Sequence, residues 1–305
     1  MKAAVYEKYG PPEVVSIREV PKPTPADDEL LVKVRAATVA AGDWRMRKAD
    51  PFLARLFNGL FKPRRVKVLG FELSGDVEAV GKDVKRFRPG DAVFAFTGFG
   101  FGAHAQYCRL REAGAPSRAG LVARKPTSIS YEDAAAFPVG ALTAQGFLRL
   151  AQAKTGSEVL VYGASGSVGT FAVQLAAHLG ARVTAVCSPG NAELVRSLGA
   201  AAVVDYAKED FSAQGPRFDV VFDAVGKADR AQCKRALKQG GKVVTVKGDP
   251  KLQAGDLEAL GQLIEAGKLR AVVDKRYPLD QIVEAYRHVE AGHKKGNVVL
   301  TIAHD

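Results

Sequence analysis

The spacing of apolar positions changes once along this chain, near residue 130. Before that point, short apolar runs are divided by turn signals. Leu30–Ala36, Glu72–Val80 and Ala92–Phe96 read as strands, and Met1–Tyr6 is strand-like. Pro21, Pro23 and Pro25 mark an extended connection, and Pro89-Gly90-Asp91 a turn. The pattern is that of a mainly β unit such as a small barrel. After that point, Ser130-Tyr131-Glu132-Asp133 opens a helix with an N-cap residue and early acids. From Thr155 onward, strand and helix patterns take turns. Strands are predicted at Val159–Tyr162, Val183–Cys187, Ala202–Asp205, Val220–Asp223 and Lys242–Val246. Such βα alternation predicts a parallel sheet covered on both faces. The tail returns to helix (Asp280–Ala291) and strand (Asn297–Ile302) and is expected to close back on the first unit. The α/β domain, residues 129–270, is then an insertion between residues 1–128 and 271–305.

The most informative stretch is the turn after the first of those strands. Gly163-Ala164-Ser165-Gly166-Ser167-Val168-Gly169 follows an apolar run and precedes an alanine-rich helical one. Glycines spaced A-x-G-x-x-G between strand and helix let the backbone approach a pyrophosphate, and the helix N-terminus offers it free N–H groups. A dinucleotide is expected here. A ribose with a free 2′-OH usually meets a carboxylate at the end of the next strand. Val186-Cys187-Ser188-Pro189-Gly190-Asn191 has none. That favours NADPH over NADH, and Arg182, Arg196 and Lys208 lie near enough in sequence to supply positive charge.

Composition narrows the classes. At 305 residues, 47% hydrophobic and 25% charged, the chain suits two globular domains, and no apolar run is long enough to span a membrane. Three cysteines with no C-x-x-C pair argue against a disulfide framework and fit a reducing cytoplasm, as does the absence of a secretory leader pattern. The net charge is +11, with clusters at Lys62–Lys67 and His293–Lys295. Neither is interleaved with stacking aromatics, so a polyanionic cofactor is expected rather than nucleic acid. Asp50–Phe61 is an apolar, helix-like stretch before the first cluster: a helix packed on the barrel, a lid, or a membrane-touching patch.

The order of these motifs resembles the medium-chain dehydrogenase/reductase superfamily, and more narrowly its zinc-independent quinone and enone oxidoreductase branch. The resemblance rests on Met1–Val5, Gly70–Gly75, Val80-Gly81, Arg88–Val93, Ala134–Pro138, Leu142–Ala144, the glycine turn, Leu198–Ala200, Asp219–Asp223 and Lys295–Leu300. It implies a Rossmann domain inserted into a GroES-like domain. Zinc members of the superfamily carry Cys, His and Cys ligands where Ala40, Phe71 and Val139 stand, so no metal site is expected; Glu72 survives from that motif. The branch lines its active site with Asn-x-x-Asp. Here that segment reads Ala40-Ala41-Gly42-Asp43, followed by Trp44-Arg45, so Asp43 and Arg45 are the candidate catalytic residues. Arg45 either donates to a substrate carbonyl or pairs with Asp43. In the Thr97–Gly102 loop, Phe99 or Phe101 is expected to face an apolar substrate.

The resemblance also implies cofactor contacts from Thr143, the turn residues 163–169, Ser188, Asn191, Tyr206, Val225, Val246 and Asn297. The branch often has a Lys where Asn191 stands, which tempers the preference for NADPH. The expected activity is hydride transfer from NADPH to a quinone or α,β-unsaturated carbonyl. An enoyl reductase acting on a carrier-bound acyl chain, and a non-enzymatic NADPH-binding protein that binds RNA or senses redox state, remain as alternatives. Relatives often dimerise through a further sheet strand, for which residues 247–256 leave only a turn-rich stub with Gly248, Pro250 and Gly255. A monomer, or a dimer through another surface, is expected.

Overall fold

The structure, a computed structural model, describes residues 1–115 and 119–304. The chain divides into two units. The first comprises Met1–Val139, Gln253–Glu265 and Val273–Asp305; the second comprises Gly140–Leu252 and Ala266–Val272. Against the sequence-based boundaries, the first unit also takes in residues 129–139 and 253–265.

In the first unit, β1 (Lys2–Tyr6) and β2 (Val15–Glu19) form an antiparallel pair. A larger sheet runs in the order β13-β14-β3-β4-β5-β7, with β6 also paired to β3. Its members are β3 (Glu29–Thr38), β4 (Glu72–Val80), β5 (Ala92–Phe96), β6 (Tyr107–Arg111), β7 (Leu121–Arg124), β13 (Val273–Pro278) and β14 (Asn297–Thr301). Alternate residues Leu30, Val32 and Val34 of β3 turn inward with Leu73 and Val77 of β4. The helix α9 (Ile282–Glu290) covers this core with Ile282, Ala285, Tyr286 and Val289. Three shorter helices are α1 (Ala41–Lys48), α2 (Ala54–Asn58) and α3 (Tyr131–Ala135). Ser130 caps α3 as its sequence suggests, its hydroxyl accepting from the Asp133 N–H at 3.1 Å. A further helix of this unit is α8 (Asp256–Glu265). β13 was not legible because Val-Asp-Lys-Arg-Tyr-Pro carries no apolar alternation; it is an edge strand ending in proline.

The second unit holds a five-stranded parallel sheet in the order β10-β9-β8-β11-β12. These strands are β8 (Glu158–Tyr162), β9 (Arg182–Cys187), β10 (Ala202–Asp205), β11 (Phe218–Asp223) and β12 (Leu237–Thr245). Val159, Leu160 and Val161 are all fully buried, as are Val220–Phe222 to within 2%. Burial of successive residues is the mark of a strand covered on both faces, and each such side chain contributes roughly 1.5–3 kcal/mol. The covering helices include α4 (Pro138–Ala151), α5 (Ser167–His178), α6 (Ala192–Ser197) and α7 (Arg230–Ala236). β12 begins five residues earlier than its apolar run implies. Lys238-Gln239-Gly240-Gly241 reads as a turn, yet it joins the strand through a register shift opposite Phe218–Val220. Residues 247–256 add no strand.

Candidate active site

The strand order reverses between β8 and β11, the place where an open parallel sheet leaves a crevice at its carboxyl edge. The glycine turn leaves β8 there. Gly163 has φ +77, and a Cβ on it would press on the Val225 side chain at 2.5 Å. The N–H groups of Gly163 and Ala164 both donate to the Val186 carbonyl, at 3.0 and 3.1 Å, which fastens the turn to β9. A Cβ on Gly169 would lie 2.1 Å from the Gly163 carbonyl oxygen, so α5 can rest on its strand only with glycine here. Gly166, the N-cap of α5, is different. A Cβ on it would find no atom nearer than the Gly163 oxygen at 3.5 Å. The cradle is therefore tight beneath and open above, at the start of a twelve-residue helix, with Ser165, Ser167 and Val168 partly exposed around it. A pyrophosphate fits it.

The predicted adenosine-side residues come together. Asn191 donates through Nδ2 to the Ser165 and Ser188 hydroxyls, both at 3.0 Å, and so ties the glycine turn to the loop after β9. Cys187, the last residue of β9, is 2% exposed, and Ser188 is the residue that opens outward. Burial and the Asp205 carboxylate raise the Cys187 thiol pKa and the Arg196 charge opposes that rise, so both a carboxylate and a guanidinium lie within electrostatic reach of this strand end. Arg182 opens β9 and sits at the strand's other end, away from the crevice, which removes it from the cationic candidates. Tyr206 is 57% exposed just after β10, and Thr143 is half-buried on α4.

One contributor was missed. Asp223, at the end of β11, accepts backbone N–H groups from Val225, Gly226, Lys227 and Ala228 at 2.8–3.2 Å. The Val246 N–H reaches the Asp223 carbonyl at 3.1 Å. This carboxylate shapes the loop that places Val225 on the glycine turn. The signal was an Asp at a strand end with a glycine three residues on, a pattern whose side chain bonds its own backbone.

In the first unit, Asp43 is fully buried. Its Oδ2 accepts the Ala40 N–H and its Oδ1 the Gly70 N–H, each at 2.8 Å. The carboxylate thus fixes the start of α1 and the approach to β4. Arg45 is exposed, its guanidinium 5.5 Å from the Trp44 ring, and among the described residues no ion pair joins it to Asp43. Gly42 lies so close to the Phe71 ring that a Cβ would be 2.6 Å away. Phe71 in turn lies 4.5 Å from Phe101, centroid to centroid. Of the two loop phenylalanines, Phe99 is 52% exposed and Phe101 is buried.

Glu72 is also buried, accepting from the Thr38 hydroxyl and from the Val139 N–H, the latter at 2.7 Å. Burial pushes its carboxyl up to about 7, and the Lys294 charge pulls the other way. Lys294 itself is pushed down to about 8 by burial, opposed by Glu72 and Asp274. Asn297 is buried at the start of β14, in the first unit. Among the described residues, no three His, Cys, Asp or Glu side chains gather as a metal site.

The comparisons with known proteins agree with this geometry. The zinc-binding dehydrogenase family matches residues 167–263 and, in a second profile, 250–300; the alcohol dehydrogenase GroES-like domain matches residues 26–123. The chain is 34% identical to 2-methylene-furan-3-one reductase of Solanum lycopersicum, over 98% of this chain and 79% of that one. The chain belongs to the medium-chain dehydrogenase/reductase superfamily, in its quinone and enone oxidoreductase branch. To this superfamily belongs also the chloroplastic NADPH-dependent alkenal/one oxidoreductase of Arabidopsis thaliana, 33% identical over 98% of this chain and 79% of its own. Among solved structures, the quinone oxidoreductase from Coxiella burnetii superposes with a TM-score of 0.85 at 27% identity, over 99% of both chains. A mycobacterial member complexed with NADPH gives 0.83 at 26% identity, over 99% of this chain and 100% of that one.

Proposed function

We propose that this protein is an NADPH-dependent reductase of quinones or α,β-unsaturated carbonyls that works without zinc. The observation that carries the reading is the open space over Gly166 at a helix N-terminus, within a chain that aligns over 98% of its length with an alkenal/one oxidoreductase. Reduced nicotinamide, when bound, supplies the hydride. The chain's own residues do the rest. The Gly163–Gly169 backbone and α5 hold the pyrophosphate, the Asn191-clamped loop meets the adenosine ribose, and Asp223 sets the loop carrying Val225. Asp43 acts as a positioning residue rather than a substrate contact, because both its oxygens are taken by backbone N–H groups. Arg45 is left as the exposed donor for a substrate carbonyl.

Ala40, Phe71 and Val139 offer no donor to a metal, and two of them have other tasks. Val139 gives its N–H to Glu72, and Phe71 packs on Gly42. Metal analysis of the purified protein is expected to find no stoichiometric zinc, and a chelator to leave turnover intact; one required zinc per chain would overturn this. Three buried, unpaired cysteines support a reducing compartment such as the cytoplasm. The second unit's sheet ends at β12, an edge broken by Gly240 and Gly241 and charged at Lys238 and Lys242, which discourages pairing between chains. That supports a monomer, or a dimer through another surface, and light scattering reads it directly. The activity is tested by mixing the protein with NADPH and a panel of quinones and enals and following nicotinamide absorbance. Loss of absorbance with at least one class is expected, and none with either would sink the reading.

A further inference from the structure

Six large apolar side chains of the first unit stand out to solvent in one segment and the loop packed beside it. Phe52, Leu53, Leu56, Leu60 and Phe61 are 61, 67, 72, 45 and 86% exposed, and Phe99, whose ring lies 5.9 Å from that of Phe57, is 52% exposed. Scattered apolar residues on a surface are ordinary, but a group of this size in one place marks a contact surface. The segment is not a loose end. Asn58 is fully buried and binds the Tyr6 hydroxyl at 2.7 Å and the Val66 N–H and carbonyl at 2.7 and 3.1 Å. The apolar side chains are thus displayed on an anchored support, and the helix packed on the barrel that the sequence allowed buries only part of its apolar surface.

Charge identifies the occupant. Lys62, Arg64, Arg65 and Lys67 follow directly and are all exposed. Lys62, Arg64 and Lys67 line a surface hollow of about 430 Å³ whose one acid, Glu7, is paired with Arg18 at 3.0 Å. A second copy of this chain would bring the same basic collar against itself, on a protein of net charge +11. An apolar patch flanked by cations is complementary instead to a surface that is anionic at its face and hydrocarbon beneath. We propose that the segment from Phe52 to Lys67 docks the first unit on an anionic lipid surface. Phe52, Leu53, Leu56 and Phe61 enter the boundary between headgroups and acyl chains, and the basic residues meet the phosphates. The docking stands whether or not the reductase reading does. If both hold, apolar substrates dissolved in the bilayer come within reach of the protein.

The test is co-sedimentation of the full chain with phosphatidylcholine vesicles, with and without about 30 mole per cent phosphatidylserine. Binding to the anionic vesicles is expected, with most of it lost in about 0.5 M salt. A Leu56→Asp, Phe61→Asp double variant should partition about tenfold less while its circular dichroism and thermal midpoint stay as in the parent. Reversing Arg64 and Arg65 to Glu should do the same. The proposal is overturned if the parent stays in the supernatant with anionic vesicles, or if either variant binds as well as the parent. It is equally overturned if light scattering shows a dimer that Phe61→Asp dissociates, since the patch would then belong to a second copy.

Discussion

The glycine turn of the second unit and the Asp43–Glu72 region of the first are built by opposite means. The turn is made of backbone: glycines at set intervals, a helix N-terminus, and N–H groups aimed at one carbonyl. Around Asp43 and Glu72 the chemistry resides in side chains, and the surrounding backbone has already claimed them. A backbone-built site advertises itself, because only glycine tolerates its geometry. A side-chain site does not, since a carboxylate that holds a loop and one that meets a substrate are the same letter.

The largest effects separate two glycines of the turn. Gly169→Val places branched atoms where even a Cβ meets the Gly163 oxygen at 2.1 Å, so the second unit is expected not to fold, as read by lost far-ultraviolet dichroism and a lost thermal transition. Gly166→Val meets nothing inside the protein, so the fold should survive while the side chain fills the pyrophosphate space. NADPH affinity should fall by about 100-fold or more in a fluorescence titration. Unchanged affinity in a folded Gly166→Val protein would show that the turn is only structural.

In the first unit the sharpening experiment is Asp43→Ala. If the carboxylate is a support, the variant loses about 2–4 kcal/mol of stability, because the buried Gly70 N–H and the partly buried Ala40 N–H are left without acceptors. What activity remains should keep its KM. A protein as stable as the parent with a collapsed kcat would return Asp43 to the reacting atoms.

How much of each region was legible follows from the same physics. The five parallel strands and the glycine turn were readable because burial on both faces and glycine spacing leave marks in sequence, whereas Ser188 and Asn191 were candidates only through the family resemblance. β13 was not, being polar and at an edge, nor was the start of β12, whose glycines read as a turn. Asp43 stood out in the sequence as a candidate catalytic carboxylate, but nothing in Ala-Ala-Gly-Asp says that both its oxygens accept backbone N–H groups. Cys187 closes β9 with its side chain buried while Ser188 opens outward, an inward–outward order that the letters Cys-Ser do not disclose. Asp223 could have been read from its glycine three residues on.

A smaller effect concerns protons. Glu72 is held near 7 in the folded protein against 4.5 unfolded, so the stability it contributes is complete below about 4.5 and lost as pH rises through 7. Glu72→Gln should flatten that fall in a series of thermal midpoints from acid to neutral pH. Lys294→Met removes the charge that restrains Glu72, so the fall should extend to higher pH. Lys294 has the opposite sign: near 8 folded against 10.5 unfolded, its contribution is present above about 10.5 and lost as pH falls through 8. An unchanged midpoint profile in both variants would mean that neither group titrates in this range.

The smallest effect tests the side-chain part of the second unit's site, where the contrast between backbone and side chain is least sharp. Choice between NADPH and NADH cannot come from the glycine turn, since both cofactors share the pyrophosphate. The loop after β9 is the place to test, where Ser188 opens outward, Cys187 does not, and Arg196 lies close enough to bear on the strand end. A carboxylate at 188 would repel a 2′-phosphate and accept from a ribose hydroxyl. Ser188→Asp should therefore lower the ratio of NADPH to NADH affinity by about tenfold, or about 1.4 kcal/mol. Cys187→Asp should instead cost stability, because it buries a charge. Arg196→Ala should weaken NADPH and leave NADH alone, and high salt should shrink that difference. If Ser188→Asp leaves the ratio unmoved while Cys187→Asp shifts it in a folded protein, the outward-facing position has been misassigned and the strand end itself reads the ribose.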